Sequence, residues 1–339
     1  MKRTKSPVYS KRQNGLLRKI ISSIAVAFLL AVSYPLFAAE KKVLILAGNG
    51  GTEEYRTKFY SQASQLRDLM MTKFGFAEQD ITVLVETEAD SLLEFSANDA
   101  KSVRSAFEQF NSNLTEDDAL LVFIFGHGSF DGEWAKLNLT GPDLRDMDFA
   151  NFLNKLPAKR QLLVNMASAS GPFVEKVSKD GRIVVTATRN GIERNATRFA
   201  DHFLRALEMD LDADLNKDGE LSVTEAFIFA RDNLIRDYEE KKQLRPEHPL
   251  LDDNGDGEGT ETPDLLSGDG RLAANFLFRQ QQQVPPRTSA ANTEALSSAQ
   301  KSILEQIDAL KAQKDSMSEE AYYKALETLM IELAKQREN

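Results

Sequence analysis

Cysteine is absent from the 339-residue chain, and histidine occurs only three times. The absence of cysteine excludes disulfide bonds, zinc sites built on thiolates and a cysteine nucleophile. No two of the histidines have the spacing of a metal-binding pair. His202 lies in a helical pattern and His248 between two nearby prolines, which favours a structural role for the first and a turn for the second. His127 is therefore the remaining candidate for a catalytic imidazole.

Residues 1–39 have the pattern of an export signal. Seven basic residues and no acidic one precede Glu40, and an apolar run extends from Ile20 to Val32. The run is short for a membrane span, and cleavage is expected near Ala38 or Ala39. Large residues just before that point leave an uncleaved membrane anchor as the alternative. We therefore expect an exported protein, periplasmic or secreted.

Acidic residues outnumber basic ones, 52 against 42, which gives a formal net charge of −10. Loss of the signal, which holds seven of the basic residues and none of the acidic ones, would make the mature chain still more negative. Such a chain repels phosphates. We therefore expect no nucleic-acid partner, and no membrane contact beyond the signal or anchor segment.

Apolar runs alternate with helical patterns from the start of the mature chain. Five runs have the length and composition of buried strands, at 42–47, 81–86, 119–125, 161–166 and 182–187. Helical spacing of apolar residues lies between them, at 54–73, 97–112 and 147–156. This alternation predicts an α/β domain over residues 40–207, with a doubly wound, mainly parallel sheet covered on both faces.

Two of the expected strands lead into loops that carry reactive groups. His127 and Gly128 follow strand 119–125, and Ser168 follows strand 161–166. In doubly wound sheets, ligands and chemistry collect at the carboxyl ends of the strands, so a base and a nucleophile can meet there. The alternative is that the glycines and small residues of both loops only form tight turns.

The two loops resemble those of the legumain and caspase group of cysteine peptidases. In that group a histidine sits in a His-Gly turn after one strand, and the catalytic cysteine follows the next. Here GHGS matches the histidine turn and MASASG the nucleophile turn, with Ser168 at the place of the cysteine. The resemblance extends from Lys42 to about Leu207. It implies that Arg56 and Asp201 lie at substrate-pocket positions.

The chain departs from this group at the nucleophile. A thiol is partly ionised near neutral pH, whereas a serine hydroxyl needs an aligned base that is itself oriented by a third group. No third group is evident, and Met166 stands where the group usually has glutamate. Backbone amides near Gly128 would still form an oxyanion-type pocket, so ligand binding can outlast catalysis.

Residues 214–225, DLNKDGELSVTE, fit the twelve-residue calcium loop of an EF-hand. Helical patterns flank the loop, from Thr197 to Met209 and from Val223 to Glu240, and Gly219 takes the sixth position, where the chain turns sharply. The expected Ca²⁺ ligands are Asp214, Asn216, Asp218, Glu220 through its carbonyl, Ser222 through water and Glu225 through both carboxylate oxygens.

A second acidic loop, residues 252–264, repeats the first half of this pattern. Its candidate ligands are Asp252, Asn254, Asp256 and Glu258. Pro263 takes the twelfth position, so a closing carboxylate would have to come from Glu261 or Asp264. The sequence leaves open whether this loop binds metal, paired with the first loop, or is a flexible acidic turn.

The composition changes after Phe278. Residues 279–294 have the polar, proline-containing composition of a linker. Residues 295–339 show two helical faces and predict a hairpin, of coiled-coil type, that either packs on the main domain or, as we favour, self-associates or binds a partner helix. The segment before the linker, residues 197–278, contains both acidic loops and is expected to pack on the α/β domain.

These observations leave three hypotheses. The leading one is an exported, calcium-binding peptidase homologue, catalytically silent or very weak, whose cleft binds a peptide or protein segment. The second is an active endopeptidase in which Ser168 attacks, His127 takes its proton and the Gly128 amide helps to hold the oxyanion. The third is a purely structural calcium module that assembles through its C-terminal helices.

Overall fold

The computed structural model describes residues 39–86, 95–208, 212–264 and 268–280, together with individual helical positions between Ile303 and Leu329. The expected export signal lies outside these residues, apart from its final position, and so do most of the linker and most of the C-terminal hairpin. The described residues up to 280 belong to one compact unit. The segment with the acidic loops therefore packs on the α/β domain.

Ten strands form two sheets in the part of the chain that the structure describes. They are β1 (Lys41–Ala47), β2 (Ile81–Val85), β3 (Ser96–Ala97), β4 (Ala119–Phe125), β5 (Gly128–Phe130), β6 (Ala135–Leu137), β7 (Leu144–Arg145), β8 (Arg160–Asn165), β9 (Arg182–Thr186) and β10 (Leu250–Asp252). The main sheet has seven strands in the order β10-β9-β8-β4-β1-β2-β3, and the small sheet has the order β5-β6-β7.

The main sheet confirms the predicted α/β architecture. Its neighbouring strands are all parallel except β10, which runs antiparallel to β9 at one edge. All five expected strands are present, with ends shifted by at most one residue. The small sheet and the edge strands β3 and β10 were not predicted, because strands of two or three residues are too short to show a period in the sequence.

Within the residues described up to 280, seven α-helices accompany the sheets. They are α1 (Glu53–Thr72), α2 (Ala100–Asn113), α3 (Asp146–Lys155), α4 (Phe173–Val177), α5 (Phe199–Leu207), α6 (Val223–Glu240) and α7 (Arg271–Ala274). Apolar residues of α1, α5 and α6 form one buried cluster with one face of the sheet, and those of α2, α3 and α4 form another with the opposite face. The sheet is therefore covered on both sides, as the continuous apolar strands require. No helix in the described residues is long and apolar enough to cross a membrane.

Phe278 connects the end of the acidic segment to the core. Its side chain is fully buried. The ring centroid lies 5.6 Å from that of Phe74, 6.4 Å from that of Phe123 on β4, and 6.2 Å from that of Phe203 on α5. One aromatic side chain thus joins the sheet to helices on the face that carries α1, α5 and α6.

We expect Phe278→Ala to lower the free energy of unfolding by about 3–5 kcal/mol, because it removes a fully buried ring and leaves a cavity among three aromatic neighbours. The measurement is urea unfolding followed by circular dichroism. Phe152→Ala is the matched control, since Phe152 is only half-buried on α3 and should cost clearly less. Equal losses for the two variants would show that Phe278 has no special role in the core.

Candidate functional site

The loops with His127 and Ser168 lie at the same edge of the main sheet. Strands β4 and β8 are parallel neighbours, with Ile124 opposite Asn165 near their carboxyl ends. Strand β1 lies on the other side of β4, so the chain changes direction across the sheet between β1 and β4. This is the place where doubly wound sheets leave a crevice for ligands. The sequence prediction that the two loops share an edge is confirmed.

Ser168 is held by the backbone of Gly128. Its hydroxyl accepts a hydrogen bond from the Gly128 amide at 3.1 Å and donates one to the Gly128 carbonyl at 3.3 Å. The side chain is 2% exposed. The two loops approach so closely that a Cβ at Gly128 would lie 2.3 Å from the Ser168 carbonyl oxygen. Only glycine fits at position 128.

His127 packs among aromatic rings of α1. Its ring meets Tyr55 edge-on at a centroid distance of 4.4 Å and Phe59 at 5.1 Å. Among the described residues, no hydrogen bond joins His127 to Ser168. Burial, assisted by the nearby cation of Lys58, lowers the pKa of His127. The imidazole is therefore neutral near pH 7 and chemically able to accept a proton, but it is not hydrogen-bonded to the hydroxyl.

The two expected pocket residues both lie at α1: Arg56 belongs to this helix, and Asp201 contacts it from α5. Arg56, on α1, lies 3.1 Å from Glu53 and 3.4 Å from Glu86. Asp201, on α5, accepts hydrogen bonds from Lys58 at 3.1 Å and from Gln62 at 2.6 Å. Both charged groups are thus already paired with other side chains at the protein surface. A ligand that binds Arg56 or Asp201 has to compete with these partners.

A histidine that the sequence assigned to a turn lies in a pair near the Ser168 loop. The imidazole Nδ1 of His248 is 2.7 Å from a carboxylate oxygen of Glu193, whose main-chain carbonyl accepts the amide hydrogen of Ala169 at 2.9 Å. The two residues are 55 positions apart, so no local pattern could have revealed the pair. His202 lies on α5 as expected, with a buried Nδ1 that has no hydrogen-bond partner among the described residues.

The first acidic loop is folded by its own side chains. Asp214 accepts hydrogen bonds from the amides of Asp218 and Gly219, and Asp218 accepts from Glu220. Gly219 has a φ of 81°, which glycine adopts without strain. At the helix start, Ser222 and Glu225 form a reciprocal capping box. The predicted helix from Val223 to Glu240 is confirmed, and the entering helix is Phe199–Leu207.

Leu221 to Val223 of this loop pairs with residues 276–278, and not with the second acidic loop. Val223 donates its amide hydrogen to the Phe276 carbonyl at 3.0 Å, and Phe278 donates to the Leu221 carbonyl at 3.2 Å. Arg279 adds an ion pair with Glu220 at 2.8 Å. The calcium-type loop is thereby tied to the segment that carries Phe278 into the core.

The second acidic loop is more buried at its start. Asp252 is fully buried at the end of β10, and burial raises its pKa. Burial also raises the pKa of Asp269 to about 6, with the charges of Asp252 and Asp253 adding to the effect. Glu261, one of the two candidates for a closing carboxylate, forms an ion pair with Arg245 and is therefore engaged elsewhere.

Both acidic loops supply oxygen donors of the kind that Ca²⁺ prefers. Within the described ranges, however, no group of three or more His, Asp or Glu residues is already arranged to hold a metal ion. Several of the carboxylates instead accept hydrogen bonds from the amides of their own loops. Cation binding would therefore require some of these side chains to rotate.

Comparison with known proteins places the chain near metacaspases. It is 25% identical over 181 residues to metacaspase-7 of Arabidopsis thaliana, a match that covers 50% of this chain and 44% of the relative. Metacaspase-4 of the same plant is 24% identical over 152 residues, covering 41% and 35%. The chain thus spans less than half the length of these curated relatives. The matches and the mostly parallel sheet support a caspase-like peptidase fold.

Two further comparisons add little. No family model matches the chain. A crystal structure of a Geobacter sulfurreducens protein aligns with 72% of this chain and all of its own length, at 12% identity and a TM-score of 0.43. A likeness at that level is too weak to assign a fold or a function.

We expect Lys58→Met to raise the pKa of His127, because it removes the cation that disfavours the imidazolium form. The same change frees Asp201 from its ion pair, which acts in the same direction. The measurement is an NMR titration of the His127 ring. Lys73→Met is the control, because Lys73 lies beyond the far end of α1 and should leave the titration unchanged. A pKa that stays constant or falls in Lys58→Met would contradict this electrostatic assignment.

Proposed function

We propose that this protein is a caspase-like peptidase homologue that binds a peptide or protein segment at the edge where β4 and β8 end, with little or no cleavage. The observation that carries the proposal is the state of Ser168. Its hydroxyl is hydrogen-bonded to both backbone groups of Gly128, whereas His127 packs against Tyr55 and Phe59.

A serine that is not aligned with a base is a poor nucleophile. The hydroxyl proton of Ser168 is directed to the Gly128 carbonyl, so attack would first have to break this bond and turn the side chain toward the imidazole. General-base assistance alone contributes roughly 10²–10⁴-fold to such reactions. Loss of that contact, at a side chain that is almost fully buried, accounts for silence or very weak activity.

Binding does not need the nucleophile. The half-buried rings of Tyr55 and His127 offer apolar surface with polar tips, and charges of both signs lie close by at Lys58 and Asp201. A peptide segment that carries an Asn or Asp side chain fits this mixture. Its carboxylate or amide oxygen would compete with Glu86 and Glu53 for Arg56.

Calcium belongs to the same proposal. In the first acidic loop the ligands would be Asp214, Asn216, Asp218, the carbonyl of Glu220, Ser222 through water, and Glu225. Export, proposed from the N-terminal pattern, would expose the loop to calcium levels at which even weak sites fill. Since the loop is tied to residues 276–278, bound calcium would stabilise the fold.

The C-terminal hairpin is proposed as the part that self-associates or binds a partner helix.

For the cleft, we expect a fluorescent peptide with Asp or Asn to bind wild type and Ser168→Ala with equal affinity, and neither to release product. Binding is measured by anisotropy and turnover by chromatography. Equal affinity is expected because the hydroxyl contacts the protein's own backbone and not the cleft.

The variant His127→Ala serves as the contrast, because it removes a ring from the proposed binding surface and should weaken binding. Turnover by wild type that disappears in Ser168→Ala would instead identify an active endopeptidase. Turnover that appears only in Ser168→Cys, and is lost again when His127→Ala is added, would identify an intact cleft that lacks its nucleophile. If the peptide binds neither wild type nor any variant, the remaining hypothesis is the purely structural calcium module.

For calcium, we expect excess chelator to lower the melting temperature of wild type by several degrees. Saturating a site a hundredfold above its Kd adds about 2.7 kcal/mol of stability. Asp218→Ala removes one expected ligand and should show a smaller shift. Glu239→Gln, which removes an exposed charge from the outer end of α6, is the control and should keep the full shift. Identical melting curves for wild type with and without chelator would exclude a calcium contribution.

A further inference from the structure

Four carboxylates gather where β10 ends, without a cation to balance them. They belong to Asp252, Asp253, Asp256 and Asp269, of which all but Asp256 are buried. In the described part of the chain, none of them forms an ion pair with lysine or arginine. Concentrated negative charge in buried surroundings is costly unless it is paired or binds a metal.

Asp252 has an oxygen that the protein leaves unused. One carboxylate oxygen, Oδ1, accepts a hydrogen bond from Gly255 at 3.2 Å, so the group faces into the acidic loop. The other, Oδ2, is buried and has no partner at hydrogen-bond distance in the described residues, with the Ser178 hydroxyl as the side-chain donor that lies near this carboxylate. A fully buried carboxylate with an orphaned oxygen points to a ligand that would occupy that position.

Asp253 is excluded as a ligand by its own contacts. Its two oxygens accept the amide hydrogens of Gly270 and Ala273 at 2.9 and 2.7 Å, so this side chain fixes the start of α7. This anchoring brings the chain around residue 270 back onto the first turn of the acidic loop.

The same fold of the chain places Asp269 next to the second acidic loop. Its Oδ1 accepts hydrogen bonds from the amides of Asp253 at 3.1 Å and Asn254 at 3.4 Å. The carboxylate therefore lies against the backbone between the first and third positions of the loop pattern. It stands 16 residues from Asp253 along the chain, far outside a twelve-residue pattern, which is why sequence reasoning did not consider it.

We propose that Asp269 closes a second divalent-cation site, in which Asp252, Asn254, Asp256 and the carbonyl of Glu258 supply the other oxygens. The ligand class is a hard cation, with Ca²⁺ preferred, because every donor is an oxygen and the set exceeds what Mg²⁺ takes from proteins. The exposed side chains of Asn254 and Asp256 can turn toward Asp252 at little cost.

The backbone of the loop is built for such a site. Gly255 and Gly257 have φ values of 82° and 80°, and Gly257 donates its amide hydrogen to Ser178 at 3.0 Å. A Cβ at Gly255 would lie 2.7 Å from the amide nitrogen of Asp180. The loop is thus packed on the segment before β9, which distinguishes it from a flexible acidic turn.

The test is a calcium titration of the full chain by isothermal calorimetry, which counts sites. We expect two sites in wild type and one in both Asp252→Asn and Asp269→Asn, with the affinity of the lost site weakened by more than about tenfold. Glu258→Gln is the matched control, because it removes a charge from the same loop but keeps the carbonyl, and it should retain two sites.

Melting without calcium separates ligation from a merely structural role. Asp252→Asn should be at least as stable as wild type in chelator, because it removes a buried charge with an unused oxygen, and it should lose only calcium-induced stabilisation. As many calcium ions on Asp252→Asn and Asp269→Asn as on wild type would overturn the proposal. If only the first loop fails, wild type shows one site and both variants show none, so the two calcium assignments fail independently.

Discussion

The close approach of two backbone segments at the carboxyl edge of the sheet determines what this site can do. Because β4 and β8 are parallel neighbours, the turns that follow them must share space, and the fit leaves no room for a side chain at position 128. The amide and carbonyl of Gly128 then become the nearest partners for the Ser168 hydroxyl. The geometry that brings a candidate nucleophile to the edge also satisfies its hydrogen bonds without the imidazole.

The fold of the α/β domain was largely predictable, and so was the edge at which the two loops meet. Continuous apolar strands such as 119–125 can only be buried on both faces, and helical spacing between them leaves few arrangements other than a parallel, doubly wound sheet. Side-chain direction was not predictable. Whether the ring of His127 turns toward Ser168 or toward Tyr55 depends on packing against α1, which no spacing within either loop encodes.

Most of the contacts that the sequence did not predict join residues that are far apart along the chain. Glu193 and His248, and likewise Asp269 and the backbone of Asp253, meet because other parts of the chain return to the same place. The pairing of Leu221 and Val223 with residues 276–278 belongs to the same class. By contrast, the helix beginning at Val223 was predicted to the residue, since the signals that start it, Ser222 and Glu225, are local.

The acidic segment and the peptidase-like edge are mechanically connected through the aromatic core. The calcium-type loop pairs with residues 276–278, and Phe278 contacts Phe123 on β4, the strand that leads to His127. Further along, Gln280 bonds both backbone groups of Lys41 at the start of β1. Order in the acidic segment therefore supports the strands whose ends carry His127 and Ser168. For the cations proposed above, this favours stabilisation of the scaffold over direct participation in chemistry, because in the described residues no side chain of either acidic loop is hydrogen-bonded to Ser168 or forms a ring pair with His127.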